Sequence, residues 1–508
     1  MREPAGIDPR VWLLSGLVGL AVPPAVVGLS ATGLPLAVSA LLAAAAAVIG
    51  VARGWRRLPE VFAEPVQGRR WLIVFWLALV LGAGFHTVRL STFMHDTARA
   101  DFSVLPDRPF FRTHACLSAY TEASRLAPSG QNVYDPKAYM DRKLGRLEVD
   151  LFQYPPAFLV LGGVLRAGSE DFTVNRAVWF LVQSLGLLAA ALGLAVWIGG
   201  PAGARFAWLI PLVWLATPTL LTLQLGNFQV SAFAWSVGAM MLAATGHVVA
   251  AGALLGFCAA GKIFPAVLGL YLLTRRRWAP VLSTGAWALV WLLLAIAWFG
   301  MKPQWDFLLY QVPRINSGEA FFWVDAPDVA GVNHSIYGLV ARLRASGVPG
   351  MTRELGNHLA SAYGAGVLAL AAWLGWHRRA VADAPGEPRL AEAGIWIALL
   401  NLGSLRSPFV PDAYAFVGTL WLLALVGAGL HRHTMAAAAG AVPLWFAFSR
   451  VFDGMLKEGQ ATPPWMLAVT LLIQVSAIAF NLWVLWTALW HSSPQPSAVG
   501  ASHARAER

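Results

Sequence analysis

Apolar stretches long enough to cross a lipid bilayer recur along almost the whole chain, and no other feature restricts its fold so tightly. A hydrocarbon core about 30 Å thick takes about 20 apolar residues as a helix. Such stretches lie near residues 11–29, 34–52, 71–91, 156–169 (short), 176–198, 205–223, 228–245, 250–273, 280–300, 360–377, 391–404, 413–430, 435–450 and 465–489. About 12–14 spans are therefore expected, some short for a full crossing. Of the 508 residues, 57% are hydrophobic and 12% charged, whereas soluble domains carry about a quarter charged residues. Mean hydropathy is +0.60. A soluble enzyme, a disordered chain and a fibrous repeat are excluded. The polar/apolar alternation of a membrane barrel is absent, which leaves an all-α polytopic membrane protein.

Charge orients the bundle. Arg53, Arg56, Arg57, Arg69 and Arg70 lie between the second and third stretches, Arg275, Arg276 and Arg277 after the eighth, and Arg378 and Arg379 after the tenth. Alternating spans put these clusters and both termini on one side, which the positive-inside rule makes cytoplasmic. The cell (inner) membrane is the expected location. The chain has 37 Lys+Arg against 26 Asp+Glu, a net charge of +11. In this setting the surplus fits basic loops against an anionic leaflet; membrane lipids, not nucleic acid, are the expected neighbours. The first stretch is too long for a cleaved signal, lacks a small-residue cleavage site and leads straight into a second apolar run. Two cysteines, Cys116 and Cys258, are too few for a disulfide framework and wrongly grouped for a metal site, so neither metal nor cofactor is expected. Three parts follow: an extra hairpin with a basic loop (1–70), a main transmembrane unit (71–490) and a disordered cytoplasmic tail (491–508).

The same alternation puts two long polar segments, 92–155 and 301–359, outside. Both are rich in Asp, Arg, His, Asn, Trp and Tyr, and both contain amphipathic stretches, at 113–127 and 337–346. Long segments of this kind are functional or disordered; their aromatic and proline content favours order and function.

Six groups of residues bear on chemistry. Asp96, Asp101, Asp107 and His114 lie where partial desolvation and nearby arginines tune a general base, or else form salt bridges to Arg99, Arg108 or Arg112. Tyr154, Pro155 and Pro156 precede a short apolar stretch; alone they read as a helix start with an interfacial tyrosine. Gly226, Asn227 and Gln229 put uncharged amides between apolar runs, where they tie helices together or line a site. Lys262 lies inside an apolar segment with Pro265 following. It serves as a cation for a phosphate or as half of a buried pair. Asn333, His334 and Ser335 precede an amphipathic stretch, as a helix cap or as part of a site. Arg406, with Ser407, Pro408 and Asp412, interrupts a late apolar run; its planar fork suits a phosphate or anchors a helix end.

In this order the motifs resemble glycosyltransferase family 87, whose members are GT-C-class membrane enzymes. The likeness is carried by Gly130, Asn132, Tyr134 and Asp135 ahead of Tyr154-Pro155-Pro156, and by the amide segment at Gly226. It continues through Lys262 and Pro265 with Arg275 to Trp278, then Asn333 and Ser335, then Ser407-Pro408, over roughly residues 71–430. The family's Asp-aromatic pair before its amphipathic helix has no counterpart in THACLSAYTEASRLA, and the nearest Asp-Phe is Asp101-Phe102 upstream. Asp101 therefore stands first as the catalytic acid, ahead of Asp96, Asp107 and His114. The family's paired amides are also swapped here, as Asn227 then Gln229.

The resemblance implies a GT-C bundle with two large extracytoplasmic loops and an active site on that face. It implies a polyprenyl-phosphate sugar donor (mannose by family frequency, with arabinose or glucose open), a glycan or glycolipid acceptor, and inversion at the anomeric carbon. Tyr154, Asn227, Gln229, Lys262, Asn333, His334, Ser335 and Arg406 would hold the donor phosphate and substrate. The rival class is a transporter or flippase for a lipid-linked or anionic substrate, for which Lys262 at mid-span would be apt. Strict alternation puts residues 226–229 on the cytoplasmic side, away from the outer segments. Either an intervening segment is re-entrant or that element does not touch the reacting groups.

Overall fold

Helices form wherever the apolar pattern runs on and stop where proline, glycine or a capping side chain interrupts it. A computed structural model of the protein describes residues 7–326, 328–379, 385–430 and 460–490. The N-terminal hairpin is α1 (Pro9–Ala31) and α2 (Leu36–Gly54), followed by α3 (Arg70–His95). The first long segment then carries α4 (Pro109–Thr113), β1 (His114–Ala115), α5 (Cys116–Leu126), β2 (Lys143–Leu144) and β3 (Leu147–Val149). The middle of the bundle is α6 (Leu159–Gly168), α7 (Phe172–Ile198), α8 (Gly200–Leu215), α9 (Thr217–Leu225), α10 (Gln229–Ala244), α11 (Val248–Gly261), α12 (Ala266–Thr274) and α13 (Trp278–Phe299). The second long segment holds α14 (Lys302–Asp306), α15 (Val312–Ser317) and α16 (Ile336–Ala345). The remaining helices are α17 (Arg353–His377), α18 (Glu387–Ser404), α19 (Asp412–Ala415), α20 (Val417–Leu425) and α21 (Pro464–Trp490). The apolar stretch at 435–450 and the tail 491–508 lie outside the described residues.

The protein is an all-α polytopic membrane protein. Among the described residues, eight helices are long and apolar enough to cross a bilayer: α1, α2, α3, α7, α13, α17, the run Asp412–Gly429 and α21. A ninth crossing results if α8 and α9, bent by 58°, count as one. Several stretches read from sequence as further spans fold instead as shorter helices. With 16 and 14 residues, α10 and α11 reach only about 24 and 21 Å. The stretch 250–273 is divided in two: Lys262 is extended (φ −136°, ψ 120°), and Pro265 lacks the N–H that would carry the helix through. Pro218 interrupts α8–α9 for the same reason.

Helix α1 packs on α2, α3 and α7, so the hairpin is part of the bundle wall. The amphipathic stretches of both long segments form helices, α5 and α16. Helix α5 lies so close to α6 that a Cβ at Gly162 would strike the Tyr120 carbonyl oxygen. A small sheet, ordered β1-β3-β2, pairs His114 with Glu148 and Ala115 with Val149 in parallel.

Two of the arginines counted above as loop charges are buried. Arg275 and Arg378 are 6% and 2% exposed, and both pair with Glu392, itself 2% exposed, at 2.6 and 3.0 Å. Tyr271 and Trp396 donate to the same carboxylate. This cluster ties α12, α17 and α18 together at one end. Removing one partner of such a pair leaves uncompensated buried charge, a loss of roughly 3–5 kcal/mol. Glu392→Ala is therefore expected to lower the unfolding midpoint of the detergent-solubilised protein sharply, with Glu392→Gln in between; differential scanning fluorimetry checks both.

Candidate active site

Where α9, α11 and α18 end, their termini and the two long segments enclose one cavity of about 1340 Å³. Its floor begins at Gly226, whose left-handed backbone (φ +64°) ends α9. A side chain there would be strained, and its Cβ would press on Leu117. The turn is fixed from below, since Trp179 Nε1 donates to the Gly226 carbonyl and Gln183 Nε2 to that of Asn227. Asn227 caps α10 by accepting from the Gln229 N–H, while its Nδ2 donates to the hydroxyls of Tyr414 (2.9 Å) and Tyr154 (3.2 Å). Tyr120 donates to Tyr154 and accepts from the Phe228 N–H. Burial pushes the Tyr154 phenol well above its ordinary value, so it remains a hydrogen-bond donor.

Lys262, freed by the break between α11 and α12, donates to Gln229 Oε1 at 2.9 Å. Its ammonium lies 5.1 and 5.6 Å from the ring centres of Tyr414 and Tyr154. Arg406 lines the cavity from the loop after α18, its Cγ against Gly364. The wall facing α17 is apolar: Phe264, Val267, Val312, Ile315 and Leu368 line it. Leu368 and Ile263 are 50% and 66% exposed, so this wall continues onto the lipid-facing surface.

The part of the lining next to Tyr414 carries the acidic chemistry. Parallel pairing of β1 with β3 brings Asp150 beside His114 and Cys116. Asp150 Oδ2 lies 3.2 Å from His114 Nε2, and Cys116 Sγ is 3.6 Å from that nitrogen and 3.1 Å from the Tyr414 hydroxyl. Burial disfavours the charged form of each of the two titrating groups, but their mutual attraction overrides it. His114 is held well above its usual value and Asp150 below the usual carboxylate range.

The expected site residues separate into three sets. His114, Tyr154, Asn227, Gln229, Lys262 and Arg406 all line the cavity. Asp96, Asp101 and Asp107 are exposed and do not line it; Asp96 caps the Ala98 N–H and Asp101 gives its carbonyl to Arg89. Asn333, His334 and Ser335 are buried behind the wall rather than in it. Asn333 donates to the Pro408 carbonyl and accepts from the Ser335 and Val410 N–H groups. Ser335 caps α16, and burial holds the His334 imidazole well below its ordinary value, hence neutral. These three clamp the loop that presents Arg406 and Tyr414. Residues 226–229 do meet the first long segment: Asn227 Nδ2 donates to Tyr154 and the Phe228 N–H to Tyr120, and the bend in α8–α9 makes this possible.

Sequence reasoning passed over Asp150, Cys116 and Tyr414. An acid four residues before Tyr154 was the available signal for Asp150, but strands of two and three residues carry no readable periodicity. Tyr414 stood two residues beyond the polar interruption at Asp412.

An all-helical membrane bundle around a cavity with carboxylate, cations and an apolar slot defines a polytopic membrane enzyme of the group-transfer kind. The model of glycosyltransferase family 87 matches residues 152–408, half of the chain, and the protein belongs to that family: it is a glycosyltransferase. No curated protein matches the chain at a significant level.

Asn333→Ala removes three buried hydrogen bonds, and each group left unpaired costs about 1–3 kcal/mol. A lower unfolding midpoint with loss of turnover is expected. A raised KM with unchanged stability would instead mean that Asn333 touches substrate.

Proposed function

We propose that the protein transfers a hexose, mannose foremost, from a polyprenyl phosphate to a hydroxyl of a glycan or glycolipid, with inversion, on the extracytoplasmic face of the cell membrane. The observation that carries this reading is the single cavity bordered at once by Asp150, by Lys262 and Arg406, and by an apolar wall reaching the lipid surface. Each part answers one demand of the chemistry. A prenyl chain needs an oily slot, worth up to about 0.8 kcal/mol for each buried CH₂, and the Leu368 wall provides one. The departing phosphate gains charge as the glycosidic bond breaks, and fixed cations in a water-poor site stabilise that charge strongly. Lys262 and Arg406 take that role, with Tyr154 and Tyr414, themselves held by Asn227, donating to oxygens. The attacking hydroxyl must lose its proton to a base within hydrogen-bond reach. Asp150, beside His114, takes it. The base is thus assigned to the end of β3 rather than to Asp101.

The test is transfer in liposomes from prenyl-phosphate mannose, with glucose and arabinose donors alongside, to a panel of glycolipids. Asp150→Asn is expected to lower turnover at least about 100-fold, the scale of general-base catalysis, with donor binding retained. Near-normal turnover in Asp150→Asn together with loss in Asp101→Asn would return the base to the upstream acids. Vesicle uptake of the lipid-linked sugar without transfer would favour a flippase.

Lys262→Met and Arg406→Gln remove the cations proposed for the phosphate. Each is expected to lower kcat/KM for the lipid donor by about 10- to 100-fold, a loss of roughly 1.4–2.8 kcal/mol in transition-state stabilisation. Initial rates against donor concentration measure it.

A further inference from the structure

Beyond their place in the proposed transfer, His114, Cys116 and Asp150 share a geometry that a hydrogen-bonded cluster does not need. We propose that they form a three-ligand zinc site whose fourth position opens into the cavity. One ligand atom of each lies within 4.8 Å of the other two. Zinc takes thiolate at about 2.3 Å and nitrogen or carboxylate oxygen at about 2.0–2.2 Å, tetrahedrally. Those bond lengths put the nitrogen and oxygen about 3.3 Å apart and the sulfur and nitrogen about 3.6 Å apart. The protein has 3.2 Å between His114 Nε2 and Asp150 Oδ2 and 3.6 Å between Cys116 Sγ and His114 Nε2. The first separation is long for a charge-assisted N–H···O bond, which closes to about 2.7–2.9 Å, but it suits a tetrahedral edge.

Neighbouring groups fix each ligand in place. The Leu151 N–H donates to the other Asp150 oxygen at 2.8 Å, the Tyr414 hydroxyl is 3.1 Å from Cys116 Sγ, and Phe110 stacks on the His114 ring at 4.3 Å. The Asp150 N–H is fixed by Ser118 Oγ. Nitrogen, thiolate and carboxylate favour zinc over the hard cations magnesium and calcium. A thiolate and a carboxylate also balance the ion's two charges, so the nearby Lys262 ammonium is not repelled. Three protein ligands with one open position is the pattern of reactive zinc centres. With the ion bound, Asp150 serves as its ligand in place of the free base of the proposed transfer, and the ion polarises the acceptor oxygen; that role rests on the function proposed above, and the binding does not.

The full-length chain in nanodiscs is stripped with a chelator, reloaded with zinc or cobalt(II) alone, and measured for metal content and absorption. One zinc per chain is expected, with a thiolate-to-cobalt charge-transfer band. Cys116→Ser and His114→Ala are each expected to lose the band and at least about 10-fold in zinc affinity. The unfolding midpoint of Cys116→Ser without metal should match that of the unaltered chain; His114→Ala, which leaves Asp150 without its partner, is read by zinc affinity and the band. Wild-type protein that takes up no stoichiometric zinc, or a band that persists in Cys116→Ser, overturns the site. Hexose transfer by a chain that binds no zinc would do so while leaving the transferase reading intact. Zinc bound and lost as expected, with no transfer from any donor, supports the site and removes the transferase reading.

Discussion

Backbone N–H and C=O groups have no water to turn to inside a bilayer, so a helix can break there only where protein covers the freed groups. This chain breaks at Pro218 and again between Lys262 and Pro265, and it ends α9 at a left-handed glycine. Every one of these interruptions faces the cavity or is met by a neighbouring side chain. Trp179 and Gln183 take the carbonyls of Gly226 and Asn227, and Asn227 takes the Gln229 N–H. Polar groups that would be costly at this depth are thereby turned into a floor of fixed donors. The cavity exists because the helices stop, and the helices can stop because neighbouring side chains take the freed backbone groups.

The cations are divided by the same logic. Arg275 and Arg378 are locked by Glu392, Tyr271 and Trp396, which leaves nothing for a ligand and much for rigidity. Lys262 lies beyond the other end of α12, and among the described residues its ammonium meets an amide oxygen and two aromatic faces. Paired charge holds α12, α17 and α18 in register at one end, and sparsely paired charge meets the cavity at the other. A rigid far end is what keeps the cavity-lining ends of those helices from closing over a flexible lysine.

Much of the bundle was legible because hydropathy is a strong and local signal. The long helices and the two amphipathic helices follow from runs of residues within one segment, whereas the stretch 250–273 read as one span and breaks at Lys262. Crossing number was less legible: α10 and α11 are as apolar as true spans, and only three-dimensional packing shows that they stop short. Half of the cavity was legible too, since a lysine or an amide in an apolar run is conspicuous. Asn333 and Ser335 were conspicuous for a different reason, as buried polar groups bonding a loop, and polarity alone does not separate that duty from contact with a ligand. Asp150 was hidden because its importance depends on β1 and β3, whose pairing joins residues far apart in sequence through a ladder too short to predict.

That short ladder also accounts for the chain's departure from its family's pattern. Where the family resemblance calls for an aspartate ahead of the amphipathic helix, this chain has His114, Ala115 and Cys116. A histidine cannot replace a carboxylate as a fixed negative charge, and left alone it would be neutral when buried. The parallel register supplies the missing charge from the other strand, placing Asp150 against His114 and holding both ionised. On the proposed reading the acid stands one strand spacing away, with two further ligating atoms beside it. A lone aspartate has a single way to act on an incoming hydroxyl, as a base; an imidazole, a thiol and a carboxylate around one point can also hold an ion there.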